Sequence, residues 1–131
     1  IYKRKLLINT NNFKMSFTMP ENRTEWKAFV KQHKTTLIVV KCFATWCQPC
    51  KTISEPVEKM FEELDVQKKL FINLDVDKQA DIARSMFVRK MPTILTYVDG
   101  ELCMAQQGSN LKEIESMLDF SVKQHKDCNY Y

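Results

Sequence analysis

The chain has 131 residues, 44% of them apolar and 27% charged, a composition typical of one globular domain with a single core. Its two glycines argue against glycine-rich phosphate-binding loops, and no apolar run approaches the roughly 18 residues of a membrane span. The net charge of +4 lies wholly in the first 20 residues, because the rest of the chain has 16 basic and 16 acidic residues. A nucleic-acid binder needs basic residues clustered on a folded face, so we expect neither a nucleic-acid nor a membrane partner.

Residues 1–19 are predicted to form a basic extension, part of which, at 13–18, is a candidate first strand. The segment lacks the sustained apolar stretch of a secretory signal. Two interpretations stay open: part of an organellar targeting peptide, or sequence upstream of a natural start at Met15 or Met19. Five cysteines, an odd number, favour a reducing compartment over a secreted disulfide framework. We therefore predict a cytoplasmic protein, with organellar import as the alternative if the basic segment is native.

A first helix is predicted by a capping-box pattern, with Asn22 as the cap and Glu25 reaching back to it. Residues 37–43 then form an apolar, β-branched run interrupted only by Lys41, which is typical of a parallel strand covered on both faces. A helix follows, whose apolar residues recur at i, i+3, i+4 and i+7. These residues are Val57, Met60, Phe61 and Leu64.

The second half of the chain continues the alternation of strands and helices. A buried strand is predicted at 70–76, a helix at 78–87, and a hairpin of 93–98 and 102–105 around Asp99-Gly100. A final helix follows, and residues 123–131 are predicted to be a polar tail. The fold class is therefore α/β: one domain over 20–122 with a mixed sheet, parallel at first and ending in an antiparallel hairpin.

Cys47 and Cys50 form a CxxC motif where the buried strand passes into a helix. Unpaired N–H groups and the helix dipole stabilise a thiolate at the first cysteine, and the second lies one turn later, within disulfide reach and predicted to be more buried. Such a pair is suited to thiol–disulfide exchange. A zinc site needs a second pair at ligand spacing, and Cys103 and Cys128 do not provide one. No metal and no cofactor are expected.

Several motifs in order resemble the thioredoxin family. The segment F-A-T-W-C-Q-P-C-K is similar to the family's W-C-G-P-C-K site, with Gln48 in place of the glycine. L-D-V-D at 74–77, M-P-T at 91–93, V-D-G-E at 98–101 and Gln107-Gly108 resemble further family motifs. The similarity covers roughly residues 20–120. It implies a thioredoxin fold, with a single mixed central sheet flanked by helices on both faces.

The resemblance also implies roles for individual residues. Cys47 corresponds to the nucleophile and Cys50 to the resolving thiol. Trp46 and Pro49 correspond to an apolar rim that receives the substrate. Pro92 is expected to follow a cis peptide bond and to lie against the disulfide, and the backbone of Met91 to pair with an extended substrate segment.

Two residues depart from the family pattern: Gln48, which lies between the two cysteines, and Lys41, which lies six residues before the first of them. Thioredoxins usually carry a buried aspartate six residues before the nucleophile, where this chain has Lys41, and the sequence shows no replacement carboxylate. Three interpretations of Lys41 stay open: its ammonium reaches solvent or an acid, its neutral amine accepts the proton of the resolving thiol, or its buried charge stabilises thiolate.

The function implied by the resemblance is reduction of protein disulfides by a Cys47/Cys50 dithiol. The implied partners are protein disulfide substrates and a thioredoxin reductase or equivalent electron donor, and the implied state is a monomer. Two alternatives stay open: an oxidase- or isomerase-like variant, and a thioredoxin-fold binding module with weak redox turnover.

Overall fold

The computed structural model describes residues 5–10 and 13–128. Residues 1–4 and 11–12 of the predicted extension, and 129–131 of the predicted tail, lie outside the described residues. The elements are β1 (Lys5–Thr10), β2 (Phe13–Thr18), α1 (Arg23–Gln32), β3 (Leu37–Phe43), α2 (Gln48–Glu62), β4 (Lys69–Asp75), α3 (Ala80–Ser85), β5 (Thr93–Val98), β6 (Glu101–Gln107) and α4 (Leu111–Asp127). Within these described residues, no helix is long and apolar enough to cross a membrane.

The central sheet has four strands in the order β4-β3-β5-β6. β3 and β4 are parallel, whereas β3 with β5 and β5 with β6 are antiparallel. The predicted mixed sheet is therefore confirmed, and so is its closing hairpin. The backbone turns at Asp99 (φ 55°) and Gly100 (φ 75°), and two positive φ angles are the geometry that a tight two-residue hairpin turn requires.

Alternation along β3 creates two cores, one on each face of the sheet. Ile38, Val40 and Cys42 belong to the core that contains α1 and α3 residues. Leu37 and Val39 belong to the core that contains α2 and α4 residues. Helices thus flank both faces, as predicted. Because side chains alternate along a strand, Lys41 lies on the face that α2 covers.

The strand predicted near 13–18 is present as β2, but its partner is β1. The two strands form an antiparallel sheet of their own, from Lys5 opposite Thr18 to Thr10 opposite Phe13. β1 lies in a segment for which the sequence predicted only an extension. The N-terminal region described here is therefore a hairpin, separate from the four-stranded sheet.

The last helix, α4, continues to Asp127, past the predicted domain boundary at residue 122. Ser121 and His125 lie one turn apart on the same helix face, and both are fully buried. The Ser121 hydroxyl lies 2.6 Å from that of Thr96 on β5 and donates to the carbonyl of Met117 at 2.8 Å. The helix continues because this face still packs on the sheet, although its residues are polar.

The capping box of α1 forms with one difference from its predicted pattern. The Asn22 side chain accepts the N–H of Glu25 at 2.9 Å, as expected. The Glu25 carboxylate accepts the N–H of Glu21 at 3.1 Å, one residue before the cap. The first bond satisfies an N–H of the first helical turn, which has no earlier carbonyl to receive it, and the second ties the residue before the cap to the same turn.

Candidate active site

Cys47 and Cys50 lie where β3 passes through a short turn into α2. The N–H of Cys47 donates to the carbonyl of Ala44 at 3.1 Å, which closes the turn. Cys47 is the N-cap of α2, and its Sγ accepts the N–H of Cys50 at 3.3 Å. Pro49 occupies the first helical turn, where its missing N–H removes no helical hydrogen bond. The two cysteines are joined by a disulfide, with their Cα atoms 5.4 Å apart.

The two cysteines are almost equally buried in the disulfide form, so the prediction that Cys50 is the more buried stays a prediction for the dithiol form. Cys47 is 4% exposed and Cys50 is 3% exposed. Together with Ala44 they form a small core cluster of their own, against which half-buried side chains pack. Both sulfur atoms belong to the disulfide and both residues are buried, so exposure does not distinguish their roles.

Exposed side chains surround the buried disulfide on the outer side. Trp46 is 68% exposed, and Gln48 and Pro49 are exposed as well. The indole N–H of Trp46 donates to Oδ2 of Asp77 at 3.0 Å. Asp77 orients the ring and was not predicted as a site residue, although the quoted L-D-V-D motif contains it. An apolar surface thus borders the disulfide, with its aromatic ring held by a hydrogen bond.

The loop before β5 brings Met91 to the cysteine pair. The Met91–Pro92 peptide bond is cis, as the resemblance implied. Met91 is half-buried and packs against the cluster that contains both cysteines. Pro92 is buried, and its carbonyl accepts the N–H of Gly108 at 2.9 Å, which ties this loop to the end of β6.

Lys41 and Cys50 line the same pocket, which has a volume of about 690 Å³ and lies between β3, β4 and α2. The Lys41 side chain is 5% exposed, and its Nζ donates to the Ser54 hydroxyl at 2.6 Å. Burial lowers the pKa of Lys41, and the nearby Glu58 carboxylate acts in the opposite direction. The pocket is lined by Lys41, Phe43, Ala44, Thr45, Cys50, Lys51, Ser54, Glu58 and Asn73.

Ser54 and Glu58 lie at the site but were not predicted from the sequence. The sequence showed no carboxylate in place of the family aspartate, whereas the structure brings Glu58 from α2 to the Lys41 pocket. Their spacing is the sequence feature that could have identified them, because Cys50, Ser54 and Glu58 follow one another at intervals of four residues. Residues four apart lie on the same helix face, so all three face β3.

The three remaining cysteines do not belong to this site. Cys42 is fully buried on the opposite face of β3, and burial raises its pKa to about 12. Cys103 and Cys128 are half-buried and pack against the core between the sheet, α2 and α4. In the part of the chain that the structure describes, no group of histidine, cysteine and carboxylate side chains is arranged to hold a metal ion.

Comparison with known proteins adds independent evidence. The family model described as Thioredoxin matches residues 17–120, a segment that contains the cysteine pair and Met91–Pro92. Thioredoxin-2 of Saccharomyces cerevisiae is 37% identical over 86 residues, covering 66% of this chain and 81% of that protein. The reduced thioredoxin pre-protein of Schistosoma mansoni is 33% identical, with a TM-score of 0.67 over 77% of this chain and 93% of that chain. Oxidised mitochondrial thioredoxin 3 of Saccharomyces cerevisiae is 31% identical, with a TM-score of 0.68 over 77% of this chain and 92% of that chain.

Proposed function

Because the chain belongs to the thioredoxin family and is a thiol–disulfide oxidoreductase that reduces protein disulfides, we propose that Cys47 is its nucleophile and Cys50 its resolving thiol. The observation that supports this order is the hydrogen bond from the Cys50 N–H to Cys47 Sγ at 3.3 Å. A sulfur atom at the N-terminus of a helix faces unpaired N–H donors and the positive end of the dipole, which stabilise its thiolate. Only the thiolate attacks a disulfide efficiently.

The reaction proceeds in two exchanges. The Cys47 thiolate attacks one sulfur of the substrate disulfide, and the other sulfur leaves as a thiolate and takes a proton from water. Cys50 then loses its proton and attacks Cys47 Sγ, which breaks the mixed disulfide and releases the second substrate sulfur as a thiol. Two electrons pass from the dithiol to the substrate, and the disulfide seen between Cys47 and Cys50 is the product state of the protein.

Substrate binding is proposed at the outer surface beside the disulfide. The exposed Trp46 ring and Pro49 give an apolar landing surface, and Gln48 lies between the cysteines on the same side. The backbone of Met91, two residues before β5 begins, is proposed to pair with an extended substrate segment, and Pro92 to lie against the disulfide. These roles predict that Trp46→Ala raises KM for protein substrates more than it lowers kcat.

We further propose that a thioredoxin reductase, or an equivalent electron donor, returns the protein to its dithiol form, and that the protein acts as a monomer in the cytoplasm. The similarity to a mitochondrial thioredoxin keeps organellar import as an alternative. Expression of the full chain with a C-terminal fluorescent tag, with and without residues 1–14, distinguishes the two locations.

The test of the dithiol mechanism is reduction of insulin disulfides with dithiothreitol as the electron source. Wild type is expected to accelerate the reaction, whereas Cys47→Ser is inactive and Cys50→Ser stalls as a mixed disulfide. Cys103→Ser is the matched control, because Cys103 is a half-buried thiol outside the pair. Equal acceleration by wild type and Cys50→Ser would contradict the resolving role, whereas no acceleration by wild type would favour a binding module.

A second candidate, an oxidase- or isomerase-like variant, is favoured by one observation: the lysine that lies beside Cys50 in a buried position. The reduction potential of the cysteine pair separates the two. A value near roughly −270 mV supports the reductase, and a value near or above about −200 mV supports the variant.

A further inference from the structure

Lys41 and Cys50 line one pocket, and the rim residues Trp46, Gln48 and Pro49 are not part of its lining. Nζ of Lys41 is held at 2.6 Å by Ser54, one helical turn beyond Cys50. An ammonium has three N–H donors, and this hydrogen bond uses one of them. The position of the Lys41 ammonium is therefore set by Ser54, a half-buried residue of α2, the helix that carries Cys50.

The charged groups around this pocket come from two elements. β3 supplies Lys41, and α2 supplies Lys51 and Glu58, both of them exposed. The residue opposite Lys41 on β4 is Asn73, which is uncharged. Exposed charges are screened by water far more than buried ones. We therefore expect Lys41 to have the largest effect on the potential at Cys50, with Glu58 partly offsetting it.

We propose that Lys41 is a positioning residue for the second exchange, in which its ammonium stabilises the Cys50 thiolate and lets the resolving thiol lose its proton to water. The proposal rests on the assigned roles of Cys47 and Cys50. In the family pattern a buried carboxylate takes this proton, and such a group opposes a neighbouring thiolate once it is ionised. A cation at the same position works in the opposite way, because it strengthens the thiol as an acid instead of accepting its proton.

The bonds and protons of the step balance without a further reactant. Cys50 Sγ releases its proton to water, and its thiolate forms a bond to Cys47 Sγ. The bond between Cys47 and the substrate sulfur breaks, and that sulfur leaves as a thiolate that takes a proton from water. Lys41 keeps its own protons throughout, so it acts through Cys50 and does not touch the substrate.

The second exchange can be observed directly with an aromatic disulfide. When the reduced protein is mixed with 5,5′-dithiobis(2-nitrobenzoate), attack by Cys47 releases one coloured thiolate and resolution by Cys50 releases a second. Stopped-flow absorbance separates the two phases, in a Cys103→Ser/Cys128→Ser background that removes the half-buried thiols. The Cys50→Ser variant identifies the resolving phase, because it lacks that phase.

Lys41→Met is expected to shift the pH midpoint of the resolving phase upward by about one unit, which slows resolution roughly tenfold near pH 7. Lys41→Arg keeps the charge and is expected to stay within about threefold of wild type. The matched control is Lys51→Met, which removes an exposed lysine of the same pocket and is expected to shift the midpoint by less than about 0.3 units. The first phase, which belongs to Cys47, is expected to change less than twofold in each of these variants.

Glu58→Gln tests the proposal without touching a buried residue. Removing this carboxylate leaves the charge of Lys41 less offset, so the midpoint of the resolving phase is expected to move downward. An unchanged or lower midpoint in folded Lys41→Met, an equal shift in Lys51→Met, or an upward shift in Glu58→Gln would each overturn the proposal. If wild type has no resolving phase, the dithiol mechanism itself fails. If the phase is present but insensitive to these charges, only the role of Lys41 fails.

Discussion

Lys69, at the start of β4, is a buried lysine whose removal should lower stability strongly. Its side chain is 1% exposed, and its Nζ donates to three carbonyls at the end of α2. The acceptors are the carbonyls of Phe61 at 2.8 Å, Glu62 at 2.9 Å and Leu64 at 2.9 Å. The last carbonyls of a helix lack N–H partners within it, so Lys69 caps the helix that carries the cysteine pair.

The expected loss in Lys69→Met follows from two opposing contributions. A hydrogen bond to a charged group contributes about 1.5–3 kcal/mol, or about 5–9 kcal/mol for three. Taking an ammonium out of water costs several kcal/mol, and the methionine variant is relieved of that cost. The carbonyls of Phe61 and Leu64 also accept backbone N–H groups, so they keep one partner each. We expect the free energy of unfolding to fall by about 2–4 kcal/mol.

The measurement is urea unfolding followed by circular dichroism at neutral pH, with both proteins in the disulfide form. The matched control is Lys68→Met, because Lys68 is exposed and donates to the hydroxyl of Thr35 at 2.7 Å. The control should lose less than about 0.5 kcal/mol. A loss in Lys69→Met no larger than that of the control would refute the view that this lysine stabilises the end of α2.

Three further outcomes are expected. Phe87 is 79% exposed at a φ of 59°, so Phe87→Gly should raise the free energy of unfolding by about 0.5–1 kcal/mol in urea titrations; a loss would show that the ring contributes more than the backbone strain costs. Burial raises the pKa of Cys42 to about 12, so iodoacetamide at pH 8 should modify Cys103 and leave Cys42 unmodified by mass spectrometry, and comparable modification of the two would contradict its burial. Burial, and then the charge of Lys68, lowers the pKa of His125, so the folded state takes up its proton at lower pH than the unfolded chain does. Wild type should therefore lose stability as the pH falls below about 6.5, by up to about 1.4 kcal/mol per pH unit more than His125→Gln, and equal pH slopes would exclude this.

Features encoded within a few neighbouring residues could be predicted from the sequence. The apolar run around Lys41 predicted a strand covered on both faces, and the CxxC motif after it predicted the strand-to-helix junction. Asp99-Gly100 predicted the hairpin because few residues adopt two consecutive positive φ angles. In each case the physical cause is local, either the periodicity of the side chains or a backbone conformation, so it can be inferred from a short segment of the sequence.

Features that depend on which faces meet could not be predicted in the same way. The helix spacing places Ser54 and Glu58 on the face of Cys50, but only the packing of α2 on β3 brings them to Lys41. His125 is a polar residue in a polar segment of the sequence, yet it is fully buried because α4 continues along the sheet. Whether such residues are buried is determined by the fold as a whole and cannot be read from the helix propensities of the residues.

The two buried lysines beside α2 have contacts that imply opposite roles. Lys69 donates to three carbonyls at the C-terminal end, where its charge meets the negative end of the helix dipole. Lys41 donates to a single hydroxyl, that of Ser54 in the middle of α2, one turn beyond Cys50. Phe61, the first of the three residues whose carbonyls Lys69 contacts, lies 11 residues beyond Cys50 in α2, or about 16 Å along the helix axis, which exceeds the roughly 8–10 Å over which charges act in physiological salt. Loss of Lys69 should therefore change stability and leave the resolving exchange intact, whereas loss of Lys41 should change that exchange. If each substitution altered both properties equally, the two charges could not be independent, and the chemistry of Cys50 would depend on the helix as a whole.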